Sequence, residues 1–219
     1  MSNFFNADNP IFTFLGKVCD VIVLSVIFII LCIPVITIGP ASTALYYTTV
    51  KVIRRERGYL FREFFKSFKL NFKSSCIFGI IITICYVLII VDILSTWTMG
   101  GISVSAKSIL LGVYIAIVTL LTCFTIYVFP VLSRFEIKKK QMFKVVFFMS
   151  MKHLPFTILM LIIQAAALVA VYVMPISIFI IPATSVFLIS LLMERIFKKY
   201  MNQQEDAEND SNKDAWYLE

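Results

Sequence analysis

Side chains able to do chemistry are few and scattered. His153 is the only histidine. It stands beside Pro155 at the expected inner interface. No serine–histidine–acid set and no metal cluster can be assembled around it, so a simple hydrogen-bonding role suits it. The five cysteines are Cys19, Cys32, Cys76, Cys85 and Cys123. They lie within or at the ends of apolar runs and include no C-x-x-C pair. They read as small hydrophobes, not as a disulfide frame or a redox or metal centre. No G-x-x-x-x-G-K-[ST] string is present to hold a nucleotide phosphate. What remains are polar groups inside apolar runs, where an ionisable group is expensive and needs a reason. Asp20 lies early in the first run and Asp92 late in the second. Antiparallel helices would set both near the outer face, where Lys17 and Lys107 are the only bases. A small outer site for an ion or solute is one reading; water-exposed helix ends with local pairing is the plainer one. Gln164 is the one strongly polar side chain in the fourth run. An amide there usually bonds across to another helix, a substrate contact being the alternative. With no nucleophile–base or metal set, the chain is not read as an enzyme, and no cofactor is called for.

The elements that carry these residues are long and apolar. Hydrophobic residues make up 60% of the chain and charged ones 15%, outside the range of soluble domains. The excess sits in runs at roughly 18–38, 77–94, 109–132, 156–174 and 176–193. A bilayer core of about 30 Å needs roughly 20 helical residues, so five transmembrane helices are expected. The first run lacks the basic leader and the small-residue cleavage site of a secretory signal. Eighteen of the twenty lysines and arginines fall in alternate gaps: 39–76, 133–155 and the stretch after 193. The positive-inside rule then puts the N-terminus outside and the C-terminus in the cytoplasm. The expected fold is an all-α integral membrane protein of the plasma membrane, with one domain over 1–199. Residues 201–219 hold six acids and one lysine, and a cytoplasmic, disordered acidic tail is expected over 200–219. The net charge of +7 is tied to membrane-adjacent helices. No nucleic-acid module accompanies it, and the lipid bilayer is the first partner implied.

The inner gaps are patterned. After Gly39-Pro40 a helical piece is expected near Ala41, ending at Gly58. Next, Phe61, Phe64, Phe65, Phe68 and Phe72 recur at helical spacing, and Arg62, Lys66, Lys69 and Lys73 recur on another face. This is a basic, aromatic-faced amphipathic helix. It would lie on the inner leaflet, pack on the protein's own spans, or fit a partner's groove. A weaker echo follows Phe129-Pro130: Phe143, Val146, Phe147 and Leu154, with Lys140, Lys144 and Lys152 interspersed. The order span, proline, basic amphipathic segment, span thus occurs twice, which suggests a parallel internal repeat of the kind found in transport folds. On the outer side, a short interfacial segment is expected around Phe4, Phe5, Ile11 and Phe12. A tight hairpin is expected at Met174-Pro175, with Pro182 kinking the fifth span or lying in its first turn.

Several of these residues form a recognisable set. Asp8-Asn9-Pro10, Leu15-Gly16-Lys17, the string Pro34-Val35-Ile36-Thr37-Ile38-Gly39-Pro40-Ala41-Ser42-Thr43-Ala44-Leu45-Tyr46-Tyr47 and the segment 61–73 resemble the YesL family. That is a bacterial family of membrane proteins defined by a domain of unknown function (DUF624). Similarity is strong over about residues 4–73 and continues as hydropathy and spacing to about Lys199. The resemblance implies a multi-pass plasma-membrane protein, often encoded beside oligosaccharide importers of the ATP-binding cassette class. It brings no catalytic residues. It makes an accessory or regulatory subunit the expected function, with a sugar importer's permease and ATPase subunits as partners. An independent small transporter or channel, motivated by the repeat and by Asp20 and Asp92, is the alternative.

Overall fold

The computed structural model describes residues 10–98, 103–135 and 139–215, with side chains described for 15–98, 103, 105–135 and 141–200. The chain is helical, with no strand among the described residues. Helix α1 covers Pro10–Cys32, α2 Ile38–Thr48, α3 Leu60–Thr98, α4 Val104–Arg134, α5 Lys139–Lys152, α6 Leu154–Val173 and α7 Ile181–Ala215. A π-helical turn, Thr49–Arg54, extends α2, and a 3-10 segment, Pro175–Phe179, joins α6 to α7.

Four helices are long and apolar enough to cross a membrane: Leu15–Cys32 within α1, Leu60–Thr98, Ser105–Arg134 and Leu154–Val173. Their apolar side chains stay largely uncovered by the protein, as at Ile109 (70% exposed) and Leu168 (65%). Surfaces of that kind suit lipid, and the chain is a multi-pass membrane protein. The fifth apolar run is present but interrupted. It divides into the 3-10 segment and the first thirteen residues of α7, ahead of Glu194. Pro175 and Pro182 explain the break, because each lacks the N–H a continuous helix would use. Pro182 is the second residue of α7, in its first turn as expected. There Ser25 of α1 closes the new helix end. Its hydroxyl donates to the Ile180 carbonyl (3.3 Å) and accepts from the Ala183 N–H (3.1 Å), satisfying one of the orphan donors of a helix start.

The centre of the molecule is α2, not one of the spanning helices. Gly39, Pro40, Ala41, Thr43, Ala44, Leu45, Tyr46 and Thr48 are all buried. Gly39 crosses Gly79 of α3 so closely that a methyl on Gly79 would stand 2.8 Å from the Gly39 Cα. Beside this crossing the Thr43 and Ser75 hydroxyls share a 2.8 Å hydrogen bond. Small residues let two backbones meet in this way where lipid offers no hydrophobic drive. One buried cluster joins α1, α2, α3 and α7 through Leu24, Leu45, Ile53, Phe64 and Ala183. A larger one joins α2 to α7 through Tyr46, Phe78, Tyr127, Met142, Met160 and Phe197.

Several boundaries differ from the sequence reading. The amphipathic segment 61–73 and the second span form one 39-residue helix, α3. No Gly or Pro separates them, and charge alters how deep a helix sits without ending it. In the second half, by contrast, α5 and α6 are distinct, broken at His153 ahead of Pro155. Helix α4 runs through Pro130 to Arg134. α7 continues as backbone helix through the acidic segment to Ala215, where no Gly or Pro interrupts it after Pro182. Residues 1–9, within the expected interfacial segment, lie outside the described residues, as do residues 216–219.

Candidate functional site

The most connected polar group is Glu194 on α7, at the point where that helix stops being apolar. Its carboxylate accepts from Arg134 Nε (3.1 Å) and Nη2 (2.9 Å to either oxygen), from Arg55 Nη2 (2.9 Å) and from the Tyr46 hydroxyl (3.2 Å). The Glu194 and Arg134 side chains are largely buried, while Arg55 is half exposed. One turn earlier, Arg54 donates to the Ser190 carbonyl at 2.8 Å. The Tyr46 side chain is itself buried, and its hydroxyl is the donor in its bond to Glu194. Three elements distant in sequence are tied here by charge-assisted bonds, the stronger kind.

A second pair fastens the turn between the π segment and α3. Lys51 donates to Glu63 at 2.6 Å and to the Tyr47 hydroxyl at 3.2 Å. The bond to Glu63 chiefly raises the Lys51 pKa and holds it as an ammonium. Gly58 takes φ +87°, and a Cβ there would press on the Glu63 side chain. Glu56 also adopts a left-handed φ of 53°, and its carboxylate pairs with Lys17 at 2.5 Å. Contact with Lys17 lowers the Glu56 pKa. This pair has a topological consequence: α1 and α2 fold back on each other, so the start of α1 lies beside the basic loop. Lys17 was expected on the opposite face.

The basic–aromatic row of α3 divides between core and surface. Phe64 is fully buried, and Phe68 packs against the same cluster, its ring centroid 6.4 Å from that of Phe64. Phe61, Phe65 and Phe72 are exposed, together with Arg62, Lys66, Lys69 and Lys73. On α5 the inward stripe is Met142, Val146 and Met149, whereas Phe143, Phe147, Phe148 and Met151 are exposed. Val146 therefore faces away from Phe143 and Phe147, with which it was grouped. Lys152 lies over the rings of Phe148 (5.2 Å) and Tyr200 (5.6 Å). Next to it, His153 Nε2 and the Tyr200 hydroxyl share a 3.3 Å hydrogen bond, the modest role expected of this histidine. Burial, then the charges of Lys152 and Lys199, lower the His153 pKa.

The intramembrane polar candidates do not converge. Asp20 lies one helical turn from Lys17, near the basic end of α1. Asp92 lies toward the far end of α3, where its carbonyl accepts from Ser95 and Thr96 and where Thr96 meets Tyr114 of α4. Gln164 is half buried, with no bond to another helix among the described contacts. All five cysteines are free, and Cys19 is exposed. Glu194 was missed by sequence reasoning. Its one signal was a lone acid at the edge of an apolar run, between Met193 and Arg195.

Between the first half of α3 and the end of α4 lies a cleft of about 580 Å³, lined by Tyr47, Lys66, Asn71, Ser74, Arg134 and Phe135, among others. Residues 21–93 match the family model described as "Protein of unknown function, DUF624". Over 156 residues, 71% of this chain and 72% of the relative, the sequence is 24% identical to "Uncharacterized protein YesL" of Bacillus subtilis (strain 168). Over these residues the chain is similar to the YesL, or DUF624, family. No solved structure matches it. The DUF624 match takes in the second half of α1, all of α2 and α3 nearly to its end. It therefore includes the Gly39–Gly79 crossing, the Thr43–Ser75 bond and the Lys51–Glu63 pair. The string that carried the resemblance is now physically intelligible: its glycine and alanines permit close packing, its threonine bonds α3, and its two tyrosines reach Glu194 and Lys51.

Proposed function

We propose that this protein is a non-catalytic accessory subunit of a larger membrane assembly, an oligosaccharide importer of the ATP-binding cassette class being the partner the family resemblance favours. One observation carries the reading. Two helices at the basic end of the bundle leave large aromatic side chains partly exposed among cations: Phe61, Phe65 and Phe72 on α3, and Phe143, Phe147 and Phe148 on α5. Aromatic anchors flanked by basic residues suit a partner groove with an acidic rim. The reading of an independent transporter or channel gains nothing from Asp20 and Asp92, which lie apart. The internal repeat gains little either, since α3 is continuous where α5 and α6 are separate.

In this proposal the basic end faces the cytoplasm of the cell. The Lys17–Glu56 pair supports placing the start of α1 there as well, in place of an external N-terminus. The stretch 175–193 remains the candidate for a further crossing, with Glu194 neutralised at its inner end.

The test is isolation of the tagged full-length chain from membranes in mild detergent, with every importer component expressed. The permease and ATPase subunits are expected to follow the wild type and to be lost with Phe61→Asp plus Phe65→Asp. These two positions are exposed, so insertion and folding survive, whereas Phe64→Asp would strike the core. Isolation of the wild type as a lone species would refute the proposal.

A further inference from the structure

The cleft between α3 and α4 has a composition that the accessory-subunit reading does not use. Lys66, Ser67, Leu70, Asn71 and Ser74 line it from α3, Leu132, Ser133, Arg134 and Phe135 from the end of α4, and Tyr47 of α2 completes the lining. No carboxylate lines it. Several donors are unspent. Arg134 commits Nε and Nη2 to Glu194, which leaves Nη1. The Tyr47 hydroxyl oxygen accepts a hydrogen bond from Lys51, so its own O–H remains free to donate. Lys66 and Ser74 have no bond among the described contacts. The Glu194 charge does not cancel this field, because Arg55 and Arg134 both bind it.

The site also has an apolar rim in a definite place. Leu132 and Phe135 stand where the apolar span of α4 ends. Leu70 is 74% exposed, and Ser74 lies one turn before the exposed, lipid-suited side chain of Ile77. A ligand seated here would offer anionic oxygens to the donors while its apolar part continued along the outer faces of α3 and α4. A phosphodiester or phosphomonoester oxygen matches the donors, and acyl chains match the continuation. We infer that this cleft binds the phosphate headgroup of an anionic phospholipid from the adjacent leaflet, and so is a lipid site built into the fold, distinct from the exposed aromatic faces.

Full-length protein in neutral detergent would be titrated with dioctanoyl phosphatidic acid, dioctanoyl phosphatidylcholine and inorganic phosphate, with binding read by native mass spectrometry. Phosphatidic acid is expected to bind at least about tenfold tighter than either of the others. Lys66→Gln should weaken it by about tenfold. Lys69→Gln removes an equal charge from the same helix but outside the cleft, and should change affinity by less than about twofold. Lys66 is exposed, so its replacement leaves packing intact. Equal losses in the two variants would mean a diffuse basic surface and would overturn the site. Equal affinity for phosphatidylcholine, or phosphate binding as tightly as the lipid, would overturn the ligand.

Discussion

Glu194 shows how one acid can organise three helices. It is largely buried, yet two arginines neutralise it and a phenol donates a hydrogen bond to it. Such a group is costly chiefly when one partner is removed. Glu194→Ala would leave Arg134 largely buried without its counter-charge, and should destabilise the protein in detergent by about 3 kcal/mol. Arg55→Ala, at the half-exposed edge of the same group, should cost no more than about 1 kcal/mol. Thermal or denaturant melts would check both, and equal effects would contradict the division of roles. His153 supplies a pH dependence of definite sign. Its folded pKa is lowered by burial and by Lys152 and Lys199, so the unfolded chain takes up the proton first as pH falls. Stability is therefore fully present above the unfolded imidazole value of about 6.5 and declines as pH drops below it, levelling once the folded pKa is passed. Melting temperatures compared between pH 7.5 and pH 5 should fall more for the wild type than for His153→Gln.

At the scale of elements, the α2–α3 crossing sets the architecture. A methyl on Gly39 would overlap the Ser75 carbonyl, and one on Gly79 would press on the Gly39 backbone. Backbone atoms cannot swing aside as a flexible side chain can. Gly39→Ala should therefore cost about 3 kcal/mol or more, and Gly112→Ala, with nothing near its Cβ direction, should be neutral or slightly stabilising through helix propensity. Comparing yields of folded protein from detergent extracts would separate the two. The elements also show what was legible beforehand. Length and apolarity announce a spanning helix from its own residues, so α1, α3, α4 and α6 were visible in outline. Local chemistry likewise exposed the Gly58 turn and Pro182 in the first turn of α7. The continuity of α3 was missed because charge marks a membrane boundary and not a helix end. The splitting of the phenylalanine row was missed because a helical period gives directions without saying which neighbours fill them. Glu194 escaped because its partners, at positions 46, 55 and 134, come together only through the tertiary fold.

At the scale of the whole molecule, the salt bridges constrain how the chain threads the membrane. Lys17 joins the start of α1 to Glu56. Arg55, the residue before it, joins the inner part of α7 through Glu194. The beginning of α1, the basic loop and the end of the apolar part of α7 thus share one end of the bundle. If that end is cytoplasmic, where the positive-inside rule would place its cations, the described helices begin and end on the same side and their crossings are even in number. The five-span reading counted this segment as a helical piece within the inner gap. In the structure α2 is a buried helix that returns beside α1. Single cysteines in an otherwise cysteine-free full-length chain would decide between the threadings. With a membrane-impermeant maleimide, Ser103→Cys at the start of α4 should label in intact cells. Lys17→Cys, Glu56→Cys and Asn202→Cys should label only after permeabilisation. Labelling of Lys17→Cys in intact cells, with Glu56→Cys protected, would separate the two positions by the full bilayer and restore an external N-terminus. The basic face of α3 would still lie inside in that case, but α1 would have to cross alone, and the hairpin it makes with α2 would be lost.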